Sequence, residues 1–271
     1  MRNKNFVIVL LMVCWPVLSY AEVSNSYITI GVGIEDLSYI EYDDKDVILD
    51  REDGLLPGIT LEVGKRWNNI TSVLSGSLFN GLVDYDGQTQ TRIPLKTKTD
   101  EKITRVEATI HFSLDVFEMT NVSLLAGLGH REWRRDILAT RVTNSLLEFY
   151  RWKYWILGTS ARLLQKGKTS VDIDVRLFRP IKPTMDVGFR NYDEVTLDLG
   201  INYGARFRIL YNLVTRKGRH WILSPYWEYW NMGRSVNEGL TINGFPTTGI
   251  VWEPRSDTTV FGVSLSMRFA S

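Results

Sequence analysis

The residues able to do chemistry are few, and their spacing is against most enzymes. The 271-residue sequence holds three histidines and one cysteine. His111, His130 and His220 stand far apart, with no His-x-x-x-His pair for zinc and no Gly-x-Ser-x-Gly elbow for a nucleophile. No serine pairs with His130 at a depth that would suit a lipid hydrolase. Cys14 lies in an N-terminal apolar run, so a chain cleaved after Ala21 would have no thiol for catalysis, disulfides or metal. Asp84 and Asp86, two residues apart, read as ordinary residues at the base of a loop. The expectation is a protein without a catalytic centre, cofactor or metal.

The elements that would position these groups are strands. From Val195 to Ile209 the odd positions are apolar or aromatic, and the even ones polar, charged or glycine. Side chains alternate between faces along a strand, so this period of two means one apolar and one polar face. The same alternation gives ten segments: Tyr27 to Glu35, Ile59 to Trp67, Ile70 to Val83, Ile103 to Val116, Val122 to Trp133, Phe149 to Leu164, Val171 to Arg179, Val195 to Ile209, Trp221 to Met232 and Thr259 to Phe269. Ser75-Gly76-Ser77 interrupts the third and suggests a bulge. Fifteen residues is long for a soluble strand of about 5–6. It suits a tilted strand crossing a bilayer, which needs ~9–11 residues for the hydrocarbon.

Composition agrees. Hydrophobic residues make up 44% of the chain, and the mean hydropathy is −0.12. After residue 21 no apolar run approaches the ~20 residues of a membrane helix. Residues 1–21 read as a secretory signal peptide: Arg2 and Lys4, an apolar run from Phe6 to Leu18, then Ser19-Tyr20-Ala21 for cleavage before Glu22. A lipoprotein reading through Cys14 would need a small residue where Val13 stands. The net charge of +1 falls to −1 without Arg2 and Lys4, leaving 30 basic residues against 31 acidic ones. That balance argues against nucleic acid as a partner.

The connections alternate long and short, at about 36–58, 68–69, 84–102, 117–121, 134–148, 165–168, 180–194, 210–220 and 233–258. Outer-membrane barrels show this, with long loops outside and short turns in the periplasm, whereas a soluble sandwich has no reason to. Aromatics gather near strand ends: Trp133, Tyr150, Trp152, Tyr154, Trp155, Tyr226, Trp227, Tyr229 and Trp230 at one level, Trp67, Trp221 and Phe269 at the other. This fits interfacial girdles. The fold class expected is all-β: a transmembrane antiparallel up-and-down barrel of ten strands over residues 22–271. Eight or twelve strands remain open, because the 84–102 and 233–258 connections could hide a hairpin. The localisation expected is the Gram-negative outer membrane.

If the apolar faces meet lipid, the polar faces line a lumen. Its expected charge network is Glu35, Glu62, Glu107, Asp172, Asp174, Asp198 and Glu228 with Arg66, Arg105, Arg162, Arg176, Arg206, Arg208 and Arg268. Ten strands make a narrow barrel, and arginine forks paired with carboxylates would fill it. A small mixed-charge conduit for polar solutes is the alternative. The loops differ in charge, the first being acidic, while Arg131, Arg134, Arg135, Arg141, Arg151 and Lys153 crowd a later rim. Arg131, Arg134, Arg135, Arg151 and Lys153 are the candidates to grip lipopolysaccharide phosphates, and the acidic loop could take divalent cations from the same layer.

Two resemblances add to this. Phe261, Val263, Leu265, Met267 and Phe269 share one face of the last strand. The stretch resembles the C-terminal assembly signal of bacterial outer-membrane proteins, which implies the barrel assembly machinery as a partner, although Ala270-Ser271 follow the aromatic. Ten strands, Val83-Asp84-Tyr85-Asp86-Gly87 and Leu124-Leu125-Ala126-Gly127-Leu128-Gly129 together resemble the omptin family of outer-membrane proteases. That resemblance implies water activation by an aspartate pair and a second Asp-His pair. The second half is missing here, since no aspartate stands two residues before His130. Proteolysis is therefore not carried over, and the expected role is structural or surface-interacting.

Overall fold

The computed structural model describes residues 26–89, 93–117, 120–141, 143–215 and 219–270. The signal peptide expected over residues 1–21 lies outside them. The strands are β1 (Ser26–Tyr42), β2 (Ile48–Trp67), β3 (Ile70–Gln88), β4 (Pro94–Phe117), β5 (Thr120–Ile137), β6 (Leu146–Lys166), β7 (Thr169–Gly188), β8 (Val195–Asp198), β9 (Gly200–Val214), β10 (His220–Gly233), β11 (Glu238–Ile242), β12 (Phe245–Val251) and β13 (Arg255–Ala270). Neighbours pair antiparallel, β13 closes on β1, and β6 pairs with β7. With β8 and β9 forming one interrupted strand, the result is a closed ten-stranded barrel. β11 and β12 make a separate hairpin within the 233–258 connection.

The alternation seen in the sequence is the pleat of this wall. Ile30, Val32, Leu61, Ile110, Leu124, Leu128, Leu157, Leu177, Phe207 and Leu265 point outward and are exposed, forming the lipid-facing band. Trp67, Trp155, Tyr203 and Phe269 are exposed aromatics on the same outer surface. Many strands run well past this band. β4 has 24 residues, over twice the ~9–11 that cross the hydrocarbon. Segments expected as loops, such as Leu37–Tyr42 and Ile48–Gly58, are therefore strand that rises above the membrane, leaving a short tip at 43–47. On the periplasmic side β2 and β3 turn at Asn68, whose φ is 50°.

Two sequence expectations change here. Ser75-Gly76-Ser77 forms no bulge: its pairing with β2 and β4 runs on in one register, with the two serines inward and Gly76 toward lipid. The Val195–Ile209 stretch, by contrast, does not keep one apolar face. Leu197 and Leu199 are buried inside, whereas Ile201, Tyr203 and Phe207 are exposed outside. The phase flips where the strand breaks at Leu199, whose N–H donates to the Pro183 carbonyl at 2.9 Å.

The upper lumen is a packed apolar core, which a purely polar interior would not contain. Leu37, Leu56, Phe79, Ile103, Trp133, Trp152, Tyr154, Phe178 and Trp230 fill it. Phe178 stacks on Trp230 at 4.9 Å between centroids. Trp133, Tyr150, Trp152, Tyr154 and Trp230 are therefore interior residues, not girdle residues. The β11–β12 hairpin adds Leu240 and Val251 to this core, so it folds over the outer mouth.

Candidate functional site: a layered lumen closed by buried ion networks

Below the aromatic core, charged side chains reach across the lumen. Arg105 on β4 donates to Glu35 on β1 at 2.7 and 3.1 Å. Arg131 on β5 and Arg206 on β9 both donate to Glu228 on β10 at 2.7 Å. Glu107 accepts from Arg176 at 2.9 Å, from Arg206 at 3.1 Å and from the Tyr154 hydroxyl at 2.8 Å. Arg176 also grips Asp174 through two bonds, at 2.9 and 3.1 Å. These partners come from seven strands, so the network ties the wall together across its diameter. Each shared carboxylate faces several guanidiniums, which a low-dielectric interior demands if charges are to stay buried.

Arg131 shows how the layers join. Two of its nitrogens have no hydrogen-bond acceptor, but its guanidinium lies 5.2–5.6 Å from the ring centroids of Trp133, Trp152 and Trp230. The π faces of these indoles attract the cation where no further carboxylate is available.

Above the core lies a second cluster, outside the membrane-spanning segments. The outward residues at its height are charged, among them Lys98, Asp100, Arg134 and Asp186, and could not face hydrocarbon. Arg135 is fully buried and meets Glu148 at 2.6 Å, Glu52 at 3.0 Å and Glu41 at 3.2 Å. Its guanidinium sits 4.1 Å above the Tyr39 ring. Tyr150 donates to Glu253 at 2.6 Å, and Trp133 donates to Glu101. Burial, with Glu41 and Glu52 nearby, pushes the Glu148 carboxyl up to about 7 against the pull of Arg135. Burial raises Asp50, Glu101 and Glu253 as well. Glu52 moves the other way: burial disfavours its charge, but Arg135 and its hydrogen-bond donors hold it below the usual range.

Most of the expected lumen residues do face inward. Glu35, Arg105, Glu107, Asp174, Arg176, Arg206 and Glu228 form the network, and Arg208 approaches Asp174 at 3.5 Å. Toward the periplasm, Arg162 pairs with Asp172 at 2.8 Å and Arg268 with Glu62 at 3.1 Å. Two residues fall outside it. Asp198 is exposed on the outer face, because the break at Leu199 reverses the strand's phase. Arg66 is exposed at the periplasmic end, bonded to the Asn68 carbonyl at 3.2 Å, since the wall ends before it can reach the network.

The rim set also divides. Arg131 and Arg135 are interior and fully buried, not surface residues, because β5 continues in strict alternation through them. Arg134, Arg151 and Lys153 do point outward. Arg134 pairs with Asp136 at 2.7 Å, and Arg151 with Asp186. The inward Glu41, Asp50, Glu52, Glu101, Glu148 and Glu253 were hidden in stretches read as loops. Their signal was present as continued alternation, as in Thr99, Glu101 and Ile103.

The omptin-like pair is not assembled as a site. Asp84 and Asp86 lie on the outer face of β3, with side chains 81% and 61% exposed, bonded to Lys98 and Lys96 at 2.7 Å. His130 faces outward on β5 and meets Glu132 at 3.2 Å. Phe261, Val263, Leu265 and Phe269 are exposed on the outer face of β13, and Met267 shares that face half-buried.

No known protein family and no curated protein matches the sequence. The structure does match solved ones. The outer membrane protease OmpT from Escherichia coli superposes with a TM-score of 0.57 at 8% identity, over 93% of this chain and 99% of that one. OprG from Pseudomonas aeruginosa gives 0.42 at 9% identity, over 93% and 99% of the two chains. The translocator domain of NalP from Neisseria meningitidis gives 0.45 at 9%, over 97% and 95%. Closure, strand number and the outward apolar band are those of this fold, so the chain is a ten-stranded antiparallel β-barrel of the kind seen in outer-membrane proteins.

Proposed function

We propose that this protein is a closed, non-enzymatic outer-membrane barrel that acts at the cell surface through its tall extracellular wall. The observation that carries this reading is the cross-lumen network of Glu35, Arg105, Glu107, Arg131, Arg206 and Glu228, sealed above by the aromatic core. A narrow lumen filled this way leaves no continuous water path. The outward Arg134, Arg151 and Lys153 stand just above the lipid-facing Leu128 and Leu157, where lipopolysaccharide phosphates lie in such membranes, and arginine forks suit those phosphates. Assembly through the machinery that reads C-terminal aromatic strands completes the proposal.

The test is conductance of the purified, folded protein in a planar bilayer. A silent membrane with protein shown to be inserted is the expected result. Steady discrete openings would overturn closure and favour the narrow-channel reading, for which the polar cavity on the periplasmic side of the network is the supporting observation. Cleavage of a peptide library by the folded protein, abolished in Asp84→Asn, would instead favour the omptin-like reading.

A further inference from the structure

On the periplasmic side of the ion network the lumen opens into a cavity of about 130 Å³. That is far more than the ~10–15 Å³ that a single water needs. Exposure falls along it from the periplasm inward. The side chains of Arg268, Glu62 and Arg208 are 23–25% exposed, while those of Arg105 and Glu107 are 4–5% exposed. The cavity is thus a blind vestibule with its mouth toward the periplasm and its floor at the ion network.

Its walls carry hydroxyls and unequal charge. Thr29, Ser224, Ser264 and Ser266 line it, together with Arg105, Arg206, Arg208 and Arg268 against Glu62, Glu107 and Glu228. The three glutamates are already engaged. Glu62 holds Arg268, Glu107 holds Arg176 and Arg206, and Glu228 holds Arg105, Arg131 and Arg206. The remaining positive charge sits on Arg208, whose contact with Asp174 is long at 3.5 Å because Arg176 already chelates that carboxylate.

Three polar atoms in this lining make no hydrogen bond: Arg105 Nε, which still lies 3.3 Å from Glu228, and two orphans with no such contact, Arg208 Nε and Ser224 Oγ. Ser224 is only 6% exposed, and a buried hydroxyl left unpaired is destabilising. Tyr226, two residues after Ser224, is the register partner of Arg208, so both orphans project from adjacent strands into the same space. We propose that this vestibule is a binding site for a small tetrahedral oxyanion of the phosphate type, taken from the periplasm. Arg208 supplies its charge and N–H fork. Ser224 donates its hydroxyl, and Ser264 and Ser266 lie within the same pocket wall. A cation would find every lining carboxylate already committed to arginine.

The experiment is titration of the folded protein in detergent with inorganic phosphate, followed by calorimetry, with gel mobility of the unheated barrel as the check on folding. Saturable binding is expected, weakened about tenfold or more in Arg208→Gln and less in Ser224→Ala, with both variants folded. No saturable uptake by the folded wild type overturns the proposal. So does uptake that Arg208→Gln and Ser224→Ala leave unchanged, since the anion would then bind elsewhere. Should Arg208→Gln fail to fold, Ser224→Ala and the wild type still decide it. Conductance and phosphate uptake are separate readouts: a conducting barrel would defeat closure alone, and a silent barrel that takes up no phosphate would defeat this site alone.

Discussion

Arg131 and Glu228, 97 positions apart in the chain, meet at 2.7 Å across the lumen, both without solvent exposure. The bond joins β5 to β10, which are not neighbours in the wall, so it measures how tightly the barrel is drawn together. Removing one partner of a buried ion pair typically costs about 3–5 kcal/mol, because the other charge is left uncompensated. Glu228→Gln is expected at the upper end, since it also loosens Arg105 and Arg206. Urea unfolding in lipid vesicles would show it, and a shift below 1 kcal/mol would mean the network carries little stability. Replacing Arg131 and Glu228 together by leucine and methionine is expected to cost less than Glu228→Gln alone.

Glycine placement offers a second test. Gly129 pairs with Tyr154, and a Cβ built on it would sit 2.2 Å from the Tyr154 ring. The ring lies over the bare backbone so that its hydroxyl reaches Glu107. Gly129→Val is expected to push Tyr154 out and prevent a heat-modifiable folded band on a gel. Gly76 faces open space, its nearest atom being 3.8 Å from a built Cβ, so Gly76→Ala is expected to fold normally.

The outer carboxylate cluster predicts a pH dependence. Glu148 has a folded pKa of about 7, above its unfolded value, so the folded state keeps a proton that the unfolded chain releases. Stability is then full below the unfolded pKa and is lost as pH rises toward 7, levelling off beyond it. Asp50, Glu101 and Glu253 act with the same sign, while the lowered Glu52 acts oppositely and matters only in acid. The extracellular wall is expected to resist protease better at pH 5 than at pH 8. Glu148→Gln is expected to reduce that difference, with Asp50, Glu101 and Glu253 supplying the rest, and an unchanged profile would remove Glu148 as a source.

The tip of the hairpin over the mouth is held by the Asp193 carboxylate. Asp193 accepts from the Thr241 hydroxyl at 2.6 Å and from the Gly244 and Asn243 amides at 2.9 and 3.1 Å. These donors hold its carboxyl below the usual range. Asp193→Ala is expected to expose the Asn243-Gly244 tip to limited proteolysis on intact cells while the barrel stays folded. Equal cutting of both proteins would show that the tip is not held there.

For the surface reading, Arg134→Gln, Arg151→Gln and Lys153→Gln together are expected to reduce lipopolysaccharide co-purification. Arg135→Gln is not, because its side chain never reaches the outside. Loss of binding in Arg135→Gln with a normal urea midpoint would contradict that assignment.

Alternation of apolar and polar residues by itself determined a membrane barrel and most of the inward charges. It gives ten strands but leaves eight or twelve open, and the pairing of the 84–102 and 233–258 stretches decides the count. A strand's period of two is local and survives wherever one face meets lipid. It went astray at Asp198, where a single break in pairing exchanges the two faces without altering composition. It also ended too early above the membrane. There the outer face turns polar, so Glu52, Glu101 and Arg135 alternate with other charged residues, and the apolar signal fades although the strand continues. Which carboxylate meets which arginine was beyond the sequence altogether. Partners such as Arg131 and Glu228 are brought together only by closure of the sheet, which also decides that Arg208 Nε and Ser224 Oγ are left without a hydrogen bond.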